Sequence, residues 1–215
     1  MPEHEQARVR QKRLLADKKT ALAVSLLQRY YIHIASGEKW DKVQIGRTLH
    51  GKPFHSGLDY NVSKANGVVV LVGYSEAIGI DIIARDTNQF KSSHLRGLFS
   101  PRELNLADGQ ELLVNDRHLL GWAYKEAYMK FTGIPGWDRI TSFEFLEVKV
   151  PQTGELVKDC VVCVEGTKHE CYTELHNFED THFIAVYTAT APNASEDEGF
   201  RRLTLQEITP TTQEI

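Results

Sequence analysis

Two segments of the chain bring acids and a base to positions where they could act together. In "AIGIDII", Asp81 stands at the end of an apolar, strand-like run, and 45 residues later "WAYKEAYMK" sets Glu126 and Lys130 one helical turn apart. Two carboxylates, one from a strand and one from a helix, can share a single hard cation. Mg²⁺ takes a few protein oxygens and completes its shell with water and substrate phosphate oxygens, so one Asp, one Glu and a neighbouring Lys suit a pyrophosphate-bearing substrate. Taken alone, Glu126 and Lys130 equally describe an ordinary i,i+4 surface ion pair, worth about a few tenths of a kcal/mol. Asp81 could merely end a strand, yet an acid among Ile80, Ile82 and Ile83 is poorly placed for β propensity, which favours a functional reason.

Other candidate groups sort by their surroundings. Arg47 and Lys52 lie in the loop "RTLHGKP", where cations are most often simply solvated. Cys160, Cys163 and Cys171, with His169 and His176 nearby, superficially suggest a metal site. There is only one C-x-x-C, however, and "DCVVCVEG" sets cysteines among valines, as small apolar strand residues. Trp122 and Tyr128 read as core rather than as stacking surfaces for a ligand.

The chain has 215 residues, 41% hydrophobic and 25% charged, enough for one sizeable core or two small ones. No run of 18 apolar residues and no apolar leader segment occurs, so a soluble, cytoplasmic protein is expected, with no membrane partner. Net charge is −4, with six Lys/Arg against three Asp/Glu in residues 1–20 and five acids against two Arg in 193–215. The basic start could meet an anion or be a solvated helix face. Overall acidity and the lack of an aromatic-interleaved basic stripe argue against nucleic acid.

Periodicity then supplies the elements that must position these groups. Leu15, Leu22, Leu26 and Tyr30 predict a helix over Asp17–Ile34 that packs one face on a sheet. "LDYNVSKANGVVVLVGY" predicts a hairpin turning at Ala65-Asn66-Gly67, followed by a strand at "AIGIDIIA". Ser100, Pro101 and Glu103 form a capping-box start, and a longer helix is expected from Asn115 or Asp116 to Phe131, stopped by Gly133. "SFEFLEVKV", "ELVKDCVVCV" and "HFIAVYTA" predict three more strands. The order is α+β, with two half-domains meeting near residues 75–79. Beyond Ala191 the chain reads as a flexible acidic tail in which "LTLQEI" is at most a short docking element.

With these segments in view, the chain resembles the larger, pseudo-dimeric class of 4′-phosphopantetheinyl transferases, in look closest to fungal members. The family's Gly-Lys-Pro, Asn-x-Ser-His, Gly-x-Asp and Trp-x-x-Lys-Glu-x-x-x-Lys motifs correspond, in order, to Gly51-Lys52-Pro53, Asn61-Val62-Ser63-Lys64, Gly79-Ile80-Asp81 and the stretch from Trp122 to Lys130. "FSPREL" falls where the family has Phe-Ser-x-x-Glu. The resemblance implies two similar α+β half-domains, each a helix packed on a small antiparallel sheet: residues 1–76, and residues 77–191 carrying the metal site, with 192–215 as the tail.

The activity so implied is Mg²⁺-assisted transfer of the 4′-phosphopantetheine arm of coenzyme A to a serine of an apo carrier domain, releasing adenosine 3′,5′-bisphosphate. By the same resemblance Asp81 and Glu126 are the metal ligands, Glu126 also accepts the serine proton, directly or through water, and Lys130 holds the pyrophosphate. Arg47, Lys52, Ser63, Lys64 and Lys125 would bind the nucleotide. Implied clients are carrier domains of aminoadipate reductase in lysine biosynthesis and of fatty-acid, polyketide or peptide synthases, and the expected state is a monomer. The sequence departs from the family at three places. Lys64 stands where members usually have His, Ile83 where many bacterial members have a third acid, and the given sequence starts almost at the first helix, where members usually have a strand before it. Two other readings stand beside this one: an inactive relative that binds carrier domains or coenzyme A without transfer, and a metal-dependent nuclease or phosphohydrolase, which would need three or more clustered acids.

Overall fold

A computed structural model describes residues 1–85, 96–105, 111–135, 137–191 and 199–210. The architecture is α+β, helices laid on small antiparallel sheets. The chain opens with helices α1 (Glu3–Arg10) and α2 (Leu15–Ser36), then the short strands β1 (Gly46–Arg47) and β2 (Pro53–Phe54), which pair antiparallel. α1 is a helix that apolar periodicity does not announce. Its acids lie in the first turn and its arginines in the last, a distribution that the helix dipole favours. α2 reaches two residues past each end of the expected helix.

The hairpin β3 (Asp59–Ala65) and β4 (Val68–Tyr74) turns where the sequence says it should. Asn66 and Gly67 take φ of 39° and 86°, the positive values a two-residue turn requires. On the helix side, Ile32 of α2 packs with Val43 and Tyr60, all three fully or nearly fully buried.

Strand β5 (Ile78–Ala84) is buried along its whole length, which explains its almost unbroken apolar sequence. Ile78, Ile80 and Ile82 share a cluster with Val70 of β4, while Ile83 belongs to the larger core on the opposite side. Alternation therefore sets Gly79, Asp81 and Ile83 on one face. After α3 (Pro101–Asn105), helix α4 (Glu111–Thr132) crosses that face. A Cβ at Gly79 would come within 1.9 Å of the Ala127 carbonyl oxygen, so helix and strand touch backbone to backbone. α4 begins at Glu111, ahead of the expected Asn115 or Asp116, and stops before Gly133 as foreseen.

The remaining strands are β6 (Phe143–Leu146), β7 (Leu156–Lys158), β8 (Val161–Val164), β9 (Thr167–Lys168), β10 (Tyr172–Phe178) and β11 (His182–Thr188). Four form the sheet β5–β11–β10–β7 and three form β6–β8–β9. The run "ELVKDCVVCV" is not one strand: Asp159, at φ 59°, breaks it, and its halves join different sheets. β10 is absent from the sequence reading because its inward positions include Thr173 and Asn177 beside Leu175, so polarity masks the alternation.

Near the C-terminus the described segment 199–210 touches both parts of the molecule. Phe200 packs at the Ile80 and Val186 cluster, and Leu203 and Ile208 from "LTLQEI" pack on Leu26 of α2 and Trp40. The flanking residues 192–198 and 211–215 of the expected tail lie outside the described residues.

Candidate active site

Strand β3 lies along β5, and side chains rather than a backbone ladder join them. Asn61 Nδ2 donates to the carbonyls of Ile78 and Lys130, both at 3.3 Å. Two residues on, hence on the same side of the strand, Ser63 Oγ donates to Asp81 Oδ1 at 2.7 Å. Lys130 Nζ completes a triangle, donating to Ser63 Oγ at 2.7 Å and to Asp81 Oδ1 at 2.6 Å. One side chain each from β3, β5 and α4 meets at this point.

Glu126 stands one turn before Lys130 and is half-buried. Its carboxyl is pushed up to about 7, first by burial and then by the charge of Asp81, with Lys130 pulling the other way. The two carboxylates expected to act together are thus close enough to repel. An oxygen-rich, doubly anionic pair of this kind fits a hard divalent cation, which would relieve both the repulsion and the cost of burial. Ile83, where a third acid was in question, belongs to the apolar core at 5% exposure.

Beside the triangle opens a cleft of about 640 Å³. Four cations line it: Arg8 on the last turn of α1, Lys12 just beyond, Arg47 on β1 and Lys64 on β3, with Ser63 among the lining residues. Burial lowers the Arg47 pKa, and the nearby positive charge of Arg8 lowers it further. Such a cluster is ready for an anion. Arg47 also braces its own turn, donating to the Gly51 carbonyl at 2.9 Å.

Two expected nucleotide contacts fall elsewhere. Lys125 is fully buried, donating to Glu103 Oε2 at 3.0 Å and to the carbonyls of Ile140 and Phe143 at 2.8 and 2.6 Å. One residue before Glu126 on a helix is roughly 100° around the axis, so Lys125 points into the core while its neighbour faces the site. Burial pulls the Lys125 pKa down and pushes the Glu103 pKa up, outweighing their mutual attraction. Glu103 does form the capping box with Ser100, and in addition accepts from the Phe145 amide at 3.1 Å. Lys52 Nζ reaches the carbonyls of Ile78 and Phe131 at 3.4 Å, the same junction that Asn61 bridges, and is not among the residues lining the cleft.

Sequence reasoning did not assign Lys12, and named Arg8 only as the alternative cation should Lys64 not meet the nucleotide. Their spacing of four was the available signal, since it sets two cations on one side of a helix and its continuation. Cys163 is buried in the sheet as expected of a small apolar residue, and no group of three potential metal ligands comes together among the described residues. Trp122 and Tyr128 pack in or against the core.

Residues 1–76 match the family described as 4′-phosphopantetheinyl transferase, N-terminal, and residues 77–188 match the 4′-phosphopantetheinyl transferase superfamily. Similar proteins include a phosphopantetheinyl transferase of Thraustochytrium, 31% identical over 94% of this chain and 76% of its own, and a 4′-phosphopantetheinyl transferase of Aureobasidium melanogenum, 35% identical over 83% and 79%. A third is the L-aminoadipate-semialdehyde dehydrogenase-phosphopantetheinyl transferase of Xenopus laevis, 25% identical over 79% of this chain. The match spans 62% of that relative's length. The chain belongs to the 4′-phosphopantetheinyl transferase superfamily.

Proposed function

We propose that this protein transfers the 4′-phosphopantetheine arm of coenzyme A to a serine hydroxyl of an apo carrier domain, releasing adenosine 3′,5′-bisphosphate. The observation that carries this reading is the double position of Ser63, which lines the four-cation cleft and also hydrogen-bonds Asp81 and Lys130. A substrate with phosphates at two places, one on a nucleotide and one in a pyrophosphate, matches a cation cleft joined to a carboxylate pair.

In this reading Arg8, Lys12, Arg47 and Lys64 hold the nucleotide phosphates, and Lys130 leaves Asp81 for the pyrophosphate. Asp81 and Glu126 would hold Mg²⁺, which when bound supplies charge neutralisation at the pyrophosphate. The serine oxygen bonds to the phosphorus on the pantetheine side, the bond from that phosphorus to the bridging oxygen breaks, and the bisphosphate departs with the bond's electrons. Glu126 accepts the serine proton, directly or through water. The two helix-on-sheet units are then halves of a pseudo-dimer, and a monomer suffices.

The direct test incubates the protein with coenzyme A, Mg²⁺ and apo carrier domains, that of an aminoadipate reductase among them, and weighs each carrier by mass spectrometry. The expected result is the mass gain of one arm on at least one carrier. Binding of coenzyme A with no gain on any carrier would instead support an inactive relative.

A further inference from the structure

Helix α1 supplies one wall of the cleft, yet no apolar residue of it is buried; its one buried side chain is Glu5. Glu5 Oε1 accepts from Arg29 Nη1 at 2.9 Å, with both side chains 1% exposed. The other Arg29 terminal nitrogen donates to the carbonyls of Trp40 and Val43 at 2.9 and 3.0 Å, and the guanidinium lies 5.8 Å from the Trp40 ring centroid. Arg29 therefore ties α1 to α2 and to the loop after α2.

The spacing along both helices connects this pair to the cleft. Glu5 and Arg8, three residues apart, share one side of α1, and Lys12 follows two residues after the helix ends. Ala21, Ser25 and Arg29 recur at four along α2, and the first two line the cleft together with Arg8 and Lys12. The ion pair and the cleft thus both lie along the contact between α1 and α2. A short helix with no buried apolar residue has little else to fix its rotation.

As a stabilising device the pair is poor. Glu5 Oε2 and Arg29 Nε make no hydrogen bond to protein groups among the described residues, and burying two charges carries a desolvation cost that offsets their attraction. What a single buried ion pair does well is specify one orientation.

We propose that Glu5 and Arg29 are positioning residues for the nucleotide cleft, holding α1 in the one rotation and register that bring Arg8 and Lys12 to the substrate phosphates. Fully buried, they touch no ligand and act only through those two cations. The inference rests on the function proposed above.

The test is a cycle of three variants: Glu5→Leu/Arg29→Met, which replaces the pair by apolar groups of similar volume, Arg8→Ala/Lys12→Ala, and all four substitutions together. Adenosine 3′,5′-bisphosphate binding is measured by calorimetry, coenzyme A kinetics with an apo carrier, and the melting temperature of each. Replacing the pair should weaken the bisphosphate and raise the coenzyme A KM by about tenfold, the loss of roughly one charge-assisted hydrogen bond, with kcat within about twofold. In the fourfold variant that loss should vanish, since nothing remains to be positioned. A merely structural pair would lower the melting temperature and leave the bisphosphate affinity alone; that result, or losses that multiply in the fourfold variant, overturns the proposal. If the apolar pair fails to fold, Glu5→Gln and Glu5→Asp enter the same cycle under the same criteria. Failure of the native protein to bind the bisphosphate would overturn the functional reading itself, a different outcome from binding that the pair does not influence.

Discussion

At the scale of single residues, Glu126 is the side chain whose environment most exceeds what its sequence position implies. Burial and the charge of Asp81 raise its pKa from 4.5 to about 7. The folded state thus holds this proton more tightly than the unfolded chain, so the stability it contributes is complete below about 4.5 and lost as pH rises through 7. Glu126→Gln removes the ionisation. The variant should melt above the native protein at pH 8, with the gap closing toward pH 4.5, and Mg²⁺ should raise the melting temperature at pH 8 only in the native protein. Equal pH dependence of the two proteins would contradict the coupling. Lys64 tests the cleft: Lys64→Glu sets a like charge beside phosphate, a penalty of about 1 to 4 kcal/mol at intermediate dielectric that should shrink with added salt. Unchanged coenzyme A affinity at low salt would remove Lys64 from the site.

At the scale of elements, the contact between β5 and α4 decides where the chemistry sits. Gly79 lets the helix backbone reach the strand, and the approach aligns Glu126 and Lys130 with Asp81 two residues along. A methyl group at Gly79 would meet the Ala127 carbonyl oxygen and the Phe131 nitrogen, backbone atoms that cannot rotate away. Gly79→Ala should therefore cost about 3 kcal/mol or more, the upper end for overpacking, visible as a lower urea midpoint. Transfer activity should fall further than stability alone explains, because the carboxylates separate.

At the scale of the molecule, the hairpin and the larger sheet are joined by polar side chains around one junction. Asn61 and Lys52 both reach the Ile78 carbonyl, while Ser63 reaches Asp81. Asn61→Ala withdraws a buried donor from two carbonyls and should cost about 1 to 3 kcal/mol in urea unfolding. The transition should stay single, because Val70 of the hairpin shares an apolar cluster with Ile78 and Ile80 of β5. Two separate transitions would mean that the two parts fold independently. Phe200, packed on the cluster that the hairpin shares with β5, and Ile208, packed on Leu26 and Trp40, add a second tie.

Much of this was legible in the sequence. Local physics wrote the turn at Asn66-Gly67, the capping box at Ser100 and Glu103, the long helices, and the alternation that makes Asp81 an anomaly among isoleucines, because each depends only on neighbours in the chain. Ordered motifs grouped Asp81, Glu126, Lys130 and Ser63 before any coordinates, and in the structure Ser63, Asp81 and Lys130 hydrogen-bond to one another. Tertiary structure decided what depends on which way a side chain turns once helices and sheets are packed. Lys125 and Glu126 are adjacent in sequence, yet 100° of helix sends one into the core and the other to the site. Lys52 reaches carbonyls that exist as neighbours only after β5 and α4 dock. Arg8 and Lys12 meet Arg47 and Lys64 only through tertiary packing, in which the buried Glu5 of α1 pairs with an arginine 24 residues away.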